Sequence, residues 1–286
     1  MNNRIEAVNG VEIPQLGFGV YKIKKGEEFE RVIREAIRVG YRHFDTAKIY
    51  GNEKALGREI KKSGIPREQF FITSKVWTTD LGYKATKKAF EESCNKLDVS
   101  YLDMYLIHFA GPRYLEAWKA IKELYSEGKI RVIGVANFEI EQLEHVRMHS
   151  SISPMINQIE THPEFSQNEL HDYLGRHRIL HEAWAPLGQG NKVLLQRPEL
   201  TDIALRHKKS SAQVILRWHI QRGIIVIPKS SNPQRIKENF EIFDFELTEK
   251  EMETINRLNS GKRYSVHPTG YMVNPFYIKL MKLFIK

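Results

Sequence analysis

Cysteine is almost absent from this sequence, since Cys94 is the only one among 286 residues. One cysteine excludes an internal disulfide and any metal site built from several thiolates, which fits a reducing compartment. The segment MNNRIEAVNG at the N-terminus lacks the apolar stretch of a signal peptide. The sequence also has no run of about 18 apolar residues, the length that spans a membrane. We therefore expect a cytoplasmic protein with no membrane association and no bound metal.

Glycine-rich nucleotide-binding motifs are missing as well. The sequence has no G-x-G-x-x-G and no Walker A motif, because Gly17-Phe18-Gly19 lacks a third glycine and lies within a predicted strand. If this chain binds a dinucleotide, it must therefore use another kind of site.

Acidic residues are in deficit, and the formal net charge is +9. The basic residues are scattered in pairs that are typical of solvated helix faces: Lys24-Lys25, Lys61-Lys62, Lys87-Lys88 and Lys208-Lys209. No known binding motif or aromatic stacking platform accompanies them, so we expect no nucleic-acid binding. A small anionic ligand explains part of the charge better.

The chain does contain short apolar runs that alternate with amphipathic helical stretches, the pattern of parallel strands joined by helices. Eight strands are predicted, at 16–20, 41–45, 70–75, 102–108, 130–136, 155–159, 180–185 and 224–228. Eight strands close a (β/α)8 TIM barrel, an α/β fold. No linker or low-complexity tract interrupts the chain, so we expect a single domain over residues 1–286.

Two segments lie outside the predicted barrel. Asn9-Gly10 sits between short alternating runs, a strong hairpin signal, and we expect this hairpin to close the bottom of the barrel. We expect the C-terminal stretch from Val266 to fold over the mouth. Its end is amphipathic and basic, with Lys279, Lys282 and Lys286, which favours a docked helix or dimer contact over a surface membrane anchor. We expect a monomer or a weak homodimer.

Four ionisable residues follow or end three consecutive predicted strands: Asp45, Tyr50, Lys75 and His108. Reactive groups of a TIM barrel lie at the carboxyl ends of its strands, so these side chains should meet at one mouth. Each alone has a structural explanation, as an ion-pair partner, a loop anchor, a core histidine or a turn cap. Their joint placement favours catalysis.

The chemistry of this set suits the reduction of a carbonyl group. A tyrosine with its ordinary pKa of about 10 is a reluctant proton donor at neutral pH. A nearby lysine would lower the pKa of Tyr50, and an aspartate would keep that lysine charged and oriented. His108 could hold the carbonyl oxygen, while hydride would have to come from a cofactor.

A phosphate site is predicted after the last strand. The residues that follow this strand include Lys229, Ser230 and Ser231. Pro233 then starts a predicted helix, whose unpaired N–H groups favour an anion. Further along this helix, Arg235 suits a 2′-phosphate or stacking on adenine, and Glu238 and Asn239 suit the adenine edge. These residues favour NADP over NAD. The alternative is an ordinary loop followed by a solvated basic helix start.

The sequence resembles the aldo-keto reductase family over nearly its whole length. Within that family it resembles in particular the bacterial reductases of 2,5-diketo-D-gluconate, glyoxal and methylglyoxal. The matching segments are HFDTAKIYGNE, LDMYLIH, MINQIETHP, AWAPLGQG and IPKSSNPQRIKENF. The resemblance implies a (β/α)8 barrel that binds NADPH without a Rossmann domain. It implies that Tyr50 is the proton donor, that Lys75 and Asp45 tune it, and that His108 orients the carbonyl.

The resemblance also assigns the nicotinamide end of the cofactor site to Ala136, Asn137, Gln158, Trp184 and Leu187. Amide side chains would pair with the carboxamide, and the Trp184 ring would stack. Two positions depart from the pattern of many relatives. Trp184 replaces a tyrosine, which preserves stacking, and Ala136 replaces a serine, which removes one hydrogen bond.

The substrate pocket would be lined by Tyr21, Trp77, His108 and Phe109, although the aromatic residues could also be simple packing. After His108 the segment FAGP replaces a longer family loop, which suggests an open pocket. The predicted function is NADPH-dependent reduction of small aldehydes and ketones such as methylglyoxal, glyoxal and diketones. The alternative is a non-catalytic NADPH-binding redox sensor or docking protein. A sugar-phosphate isomerase is a weaker third hypothesis, because it would not need the Trp184 platform or the Arg235 site.

Overall fold

The computed structural model describes residues 3–270 and 273–284, with the backbone alone for 281–284. The strands in the described residues are β1 Arg4–Glu6, β2 Glu12–Pro14, β3 Phe18–Gly19, β4 His43–Asp45, β5 Phe71–Val76, β6 Leu102–Ile107, β7 Ile130–Ala136, β8 Ile156–Glu160, β9 Leu180–Trp184 and β10 Ile225–Val226. The α-helices there are α1 Glu27–Val39, α2 Glu53–Lys62, α3 Tyr83–Leu97, α4 Tyr114–Ser126, α5 Ile140–Met148, α6 Asn168–Arg176, α7 Lys192–Leu195, α8 Pro198–His207, α9 Ser211–Gln221, α10 Pro233–Phe240, α11 Glu249–Asn256 and α12 Pro275–Phe284.

Strands β3 to β10 are parallel and neighbour one another in chain order. The two ends of this sheet meet at a bridge between Leu16 and Val226, where the Gly17 N–H donates to the Val226 carbonyl at 2.8 Å. The sheet is therefore closed, and the predicted (β/α)8 barrel is confirmed. The first and last strands of the barrel, β3 and β10, have two residues each and are shorter than the sequence suggests. Pro228 has no N–H to donate at this seam, and its carbonyl accepts from the Gly19 N–H at 3.1 Å.

Helix α1 illustrates how the sequence builds the outer layer. Its apolar positions recur at helical spacing and are buried, among them Phe29, Ile33 and Ile37. The helix ends at Gly40, whose φ of +123° is open to glycine, and a Cβ there would lie 2.8 Å from the Phe240 ring. The helix predicted from the amphipathic pattern is confirmed, and its end is fixed by a close approach to α10.

The N-terminal hairpin closes the bottom of the barrel, as expected from Asn9-Gly10. Strands β1 and β2 pair antiparallel, and the Ile13 side chain is buried. The Asn9 side-chain amide donates to the Arg131 carbonyl at 2.9 Å. Because Arg131 lies at the start of β7, the hairpin is held at the amino-terminal end of the strands, away from the site.

The C-terminal segment lies on the opposite, mouth side. Glu160, which ends β8, accepts from the Tyr264 N–H and from the Ser265 hydroxyl at 2.6 Å each. Helix α12 packs against the turn Thr78–Asp80 that follows β5, and Ile278 is buried there. This docked helix agrees with the expectation for the segment. Of the three lysines singled out in it, Lys286 lies outside the described residues. Within the described part of the chain, no helix has the length and apolar content to cross a membrane.

Candidate active site

The structure brings the four predicted catalytic residues to one mouth of the barrel. Asp45 ends β4, Lys75 is the next-to-last residue of β5, and His108 follows β6. Tyr50 ends a short 3-10 turn, Lys48–Tyr50, in the loop after β4. Asp45, Lys75 and His108 are buried, and Tyr50 is half-buried. Their placement agrees with the expectation from the strand order.

The turn that carries Tyr50 is fixed by local polar contacts. Gly51 ends it with a φ of +64°, a left-handed conformation that suits glycine. Next to it, the buried Asn52 side chain donates to the Val20 carbonyl at 3.1 Å and accepts from the Thr46 hydroxyl at 2.7 Å. These contacts tie the loop to the ends of β3 and β4, so the position of Tyr50 relative to Asp45 is set by the barrel itself.

Lys75 and Asp45 form a buried ion pair. The Lys75 ammonium donates to both carboxylate oxygens of Asp45, at 2.6 and 2.7 Å, and to the Thr46 carbonyl at 2.9 Å. Each of its three N–H groups therefore has an acceptor. Because every N–H group of the ammonium has an acceptor, both charges can remain in the barrel interior, where an unpaired buried charge is costly.

The pKa of Tyr50 moves in the direction opposite to the one expected from the sequence. Burial raises the pKa of the Tyr50 phenol well above its ordinary value, and the nearby Asp45 carboxylate and Tyr21 raise it further. Lys75 lies 5.4 Å from the centre of the Tyr50 ring, but its charge is matched by Asp45. In this structure Tyr50 is therefore a neutral phenol that holds its proton.

His108 is neutral, because burial and the Lys75 ammonium lower its pKa well below the ordinary value. Its ring lies edge-on to Tyr50, with 5.8 Å between ring centres. Nδ1 of His108 is buried and has no hydrogen-bond partner among the described residues. A neutral imidazole carries one N–H, so it is able to donate to a carbonyl oxygen held between it and Tyr50.

The predicted pocket residues surround this pair. Tyr21 packs on Tyr50 at 4.8 Å between ring centres and is more than half exposed. Trp77 lies edge-on to His108 at 4.9 Å, and Phe109 stacks on His108 at 5.2 Å. The structure therefore places all three aromatic rings in direct contact with the groups at the mouth.

Of the five residues expected at the nicotinamide end, Ala136 and Trp184 end β7 and β9, Asn137 and Leu187 lie in the loops that follow these strands, and Gln158 is the middle residue of β8. Asn137 has a φ of +61°, accepts from the Trp184 indole N–H at 2.9 Å and donates to the His108 carbonyl at 3.0 Å. Gln158 pairs with Ala136 in the β7–β8 register and donates to Asp45 at 2.9 Å. Leu187 is half-buried against the core. Gln158 is thus the one of these five for which a hydrogen bond to the Lys75–Asp45 pair is found among the described residues.

The predicted phosphate residues follow β10 and open α10. Ser230 is buried and its hydroxyl accepts from the Asn232 N–H at 3.1 Å, while Asn232 caps the helix by accepting from the Arg235 N–H at 3.1 Å. Lys229 and Arg235 are exposed and form no ion pair with the described residues. Ser231 and Glu238 are half-buried, and Asn239 is buried. The helix start therefore offers two cations that no acidic side chain of the described chain neutralises.

Sequence reasoning missed two ionisable residues inside the barrel. Glu182 lies in β9, and its buried carboxyl accepts from Gln158 at 2.8 Å. Burial, with a further contribution from Asp45, raises the pKa of Glu182 to about 8. His43 in β4 lies close by, and burial lowers its pKa to about 4. The available signal was a charged residue in the middle of the predicted strand LHEAWA, where a barrel interior disfavours charge.

An eight-stranded parallel barrel that gathers ionisable side chains at the carboxyl ends of its strands is the architecture of a barrel enzyme. The model of the Aldo/keto reductase family matches residues 15–260. The chain belongs to this family, and it is an oxidoreductase that acts on carbonyl groups.

Three similar proteins bear on the function. A glyoxal reductase of Bacillus subtilis (strain 168) is 48% identical over 269 residues, covering 94% of this chain and 97% of its own. A 9,11-endoperoxide prostaglandin H2 reductase of Trypanosoma cruzi (strain CL Brener) is 46% identical over 271 residues, covering 94% and 96%. The crystal structure of a Bombyx mori aldo-keto reductase in complex with NADP matches with a TM-score of 0.87 at 34% identity, covering 92% and 94%.

Proposed function

We propose that this protein reduces small aldehydes and ketones to alcohols with NADPH, and that Tyr50 supplies the proton. The observation that carries the proposal is the fully satisfied Lys75–Asp45 pair, with Tyr50 and a neutral His108 at the same mouth. The named activity of the glyoxal reductase at 48% identity supports the same substrate class.

The residues present fit a nicotinamide dinucleotide phosphate. Lys229 and Arg235 lie free of ion pairs with the described residues at the N-terminus of α10, where an anion is favoured. At the other end, Asn137, Gln158 and the half-exposed Trp184 ring would hold the nicotinamide. The bound cofactor would supply hydride to the carbonyl carbon. The complex of the Bombyx mori relative with NADP supports this choice.

The protein groups would then handle the oxygen atom. His108 donates its N–H to the carbonyl oxygen and holds it beside the Tyr50 hydroxyl. As hydride reaches the carbon, the Tyr50 proton passes to the oxygen and leaves a phenolate. Lys75 stabilises that phenolate, because an ammonium nearby favours the charged form of a phenol. Asp45 keeps Lys75 charged and in place, and water restores the Tyr50 proton after product release.

We expect small substrates to be preferred. The loop after His108 is short, and the rings of Tyr21, Trp77 and Phe109 line the mouth. Measured kcat/KM values should be highest for glyoxal, methylglyoxal and small diketones across a panel of carbonyls of increasing size. The relative named as a prostaglandin H2 reductase suggests the opposite preference, for a larger and more apolar substrate. If kcat/KM rises with the size and apolar character of the substrate, the small-carbonyl assignment is wrong.

Arg235→Ala is expected to weaken NADPH binding by roughly 10-fold to 100-fold, because it removes a charge-assisted contact with the 2′-phosphate. NADH, which lacks that phosphate, should bind as before. The two dissociation constants can be compared by fluorescence titration. Lys237→Ala is the matched control, since Lys237 is exposed on the same helix and already pairs with Glu241 at 3.7 Å. Equal losses for NADPH and NADH would place the 2′-phosphate elsewhere.

The alternative drawn from the sequence, a non-catalytic NADPH-binding protein, is not supported by the family match. It predicts cofactor binding without turnover of any carbonyl. The intact catalytic set argues against it, since a sensor would have no use for a proton donor beside a buried ion pair.

A further inference from the structure

The side-chain amide of Gln158 lies between two buried carboxyl groups. Its Nε2 donates to Asp45 Oδ2 at 2.9 Å and to Glu182 Oε2 at 2.8 Å. An amide nitrogen carries two hydrogens, so both are used. The amide is thereby held in one orientation, with its carbonyl oxygen turned away from both carboxyl groups.

Glu182 is the less obvious of the two acceptors. It is 0% exposed, and its second oxygen, Oε1, has no hydrogen-bond partner among the described residues. His43 Nε2 lies 3.6 Å from this oxygen, beyond hydrogen-bond distance. On the other side of that ring, His43 Nδ1 lies 3.3 Å from the Pro14 carbonyl, which requires the hydrogen to be on Nδ1. Nε2 is then an acceptor, and it accepts from the Thr73 hydroxyl at 3.1 Å, so it offers no hydrogen to Oε1 of Glu182.

This geometry suits a carboxylic acid better than a carboxylate. A carboxylate would leave the charged oxygen Oε1 buried without a donor and next to Nε2 of His43, which is itself an acceptor, whereas a carboxylic acid carries no charge there. The charges that face Glu182 are the Asp45 carboxylate and the Lys75 ammonium, and those two already neutralise each other at 2.6 Å. His43 is neutral. An ionised Glu182 would add an uncompensated negative charge to the interior.

We propose that Glu182 is a positioning residue that, as a neutral acid, fixes the Gln158 amide so that its carbonyl oxygen faces the nicotinamide carboxamide. The inference rests on the proposed function, because it assigns Gln158 to the cofactor. Ionisation of Glu182 would place a second negative charge beside Asp45 and disturb the Gln158 orientation. The raised pKa of Glu182, about 8, puts that change at mildly alkaline pH.

The test is NADPH affinity, measured by fluorescence titration from about pH 6 to about pH 10. In the wild-type protein we expect affinity to fall as pH rises through the pKa of Glu182. Glu182→Gln should bind NADPH normally at neutral pH and lose this alkaline fall, since an amide accepts from Gln158 but does not ionise. Glu182→Met removes the acceptor, and we expect affinity about 10-fold weaker at every pH.

Glu53→Met is the matched control for the loss of a buried carboxyl group. Glu53 is buried, and it accepts from Ser74 at 2.7 Å without touching Asp45 or Gln158. We expect it to lower thermal stability and to leave the pH profile of NADPH binding unchanged. A purely structural role for Glu182 would make Glu182→Met behave like this control.

Two outcomes overturn the inference in different ways. If wild type, Glu182→Gln and Glu182→Met bind NADPH with one affinity and one pH profile, Glu182 does not position Gln158, while the proposed function stands. If the wild-type protein binds no NADPH at all, the proposed function fails and takes this inference with it.

Discussion

Tyr50→Phe is expected to lower kcat for carbonyl reduction by roughly 100-fold to 10,000-fold, the usual contribution of a positioned general acid. NADPH binding should be unchanged. The substitution keeps the ring that packs between Tyr21 and His108 and removes only the hydroxyl that delivers the proton. Steady-state kinetics with methylglyoxal, beside an NADPH titration of each protein, measures both quantities.

The raised pKa of Tyr50 also predicts how wild-type kcat depends on pH. Since the phenol holds its proton well above its ordinary range, wild-type kcat should not fall through ionisation of Tyr50 at neutral pH. Tyr125→Phe is the matched control, because it removes a phenol hydroxyl that accepts from Asn9 near the N-terminal hairpin, at the bottom of the barrel. If Tyr50→Phe turns over within a few-fold of the control, another group delivers the proton.

Lys75→Met is expected to reduce both turnover and stability. Removing the ammonium leaves the Asp45 carboxylate buried without its partner, and breaking a buried pair in this way costs about 3–5 kcal/mol of unfolding free energy. Chemical denaturation of the wild type and the variant measures the effect.

The double variant Asp45→Asn, Lys75→Met separates the two roles of the pair. It removes both charges, so we expect it to regain most of the stability lost by the single variant. Turnover should stay low, because nothing then stabilises the Tyr50 phenolate. A double variant as unstable as Lys75→Met would mean that packing of the lysine chain, and not its charge, is what the barrel requires.

The barrel itself could be predicted from sequence, because its strands are buried on both faces and appear as separate apolar runs between amphipathic helices. The ends of the first and last strands could not. Their pairing joins Leu16 to Val226 across most of the chain, and no local pattern near either residue contains that register.

The candidate site, too, could be predicted from the sequence only in part. The positions of Asp45, Lys75 and His108 follow from strand ends, which a sequence can show, and their assigned roles come from the family resemblance. The direction of the Tyr50 pKa shift was wrong, because it depends on burial and on Asp45 matching the charge of Lys75. Glu182 was missed because its partner Gln158 lies on the neighbouring strand and only the register brings them together.

Several expectations stay predictions. They include one domain over the whole chain, a cytoplasmic location, a monomer or weak homodimer, and the individual roles of the site residues. None of them alters the central claim, which concerns the reaction at the barrel mouth.

That claim is tested most directly by NADPH oxidation in the presence of methylglyoxal and glyoxal, with the formation of alcohol measured alongside. The account predicts carbonyl-dependent oxidation, with one alcohol formed for each NADPH consumed. Binding of NADPH without turnover of these or other aldehydes and ketones would contradict the reductase and favour the non-catalytic alternative.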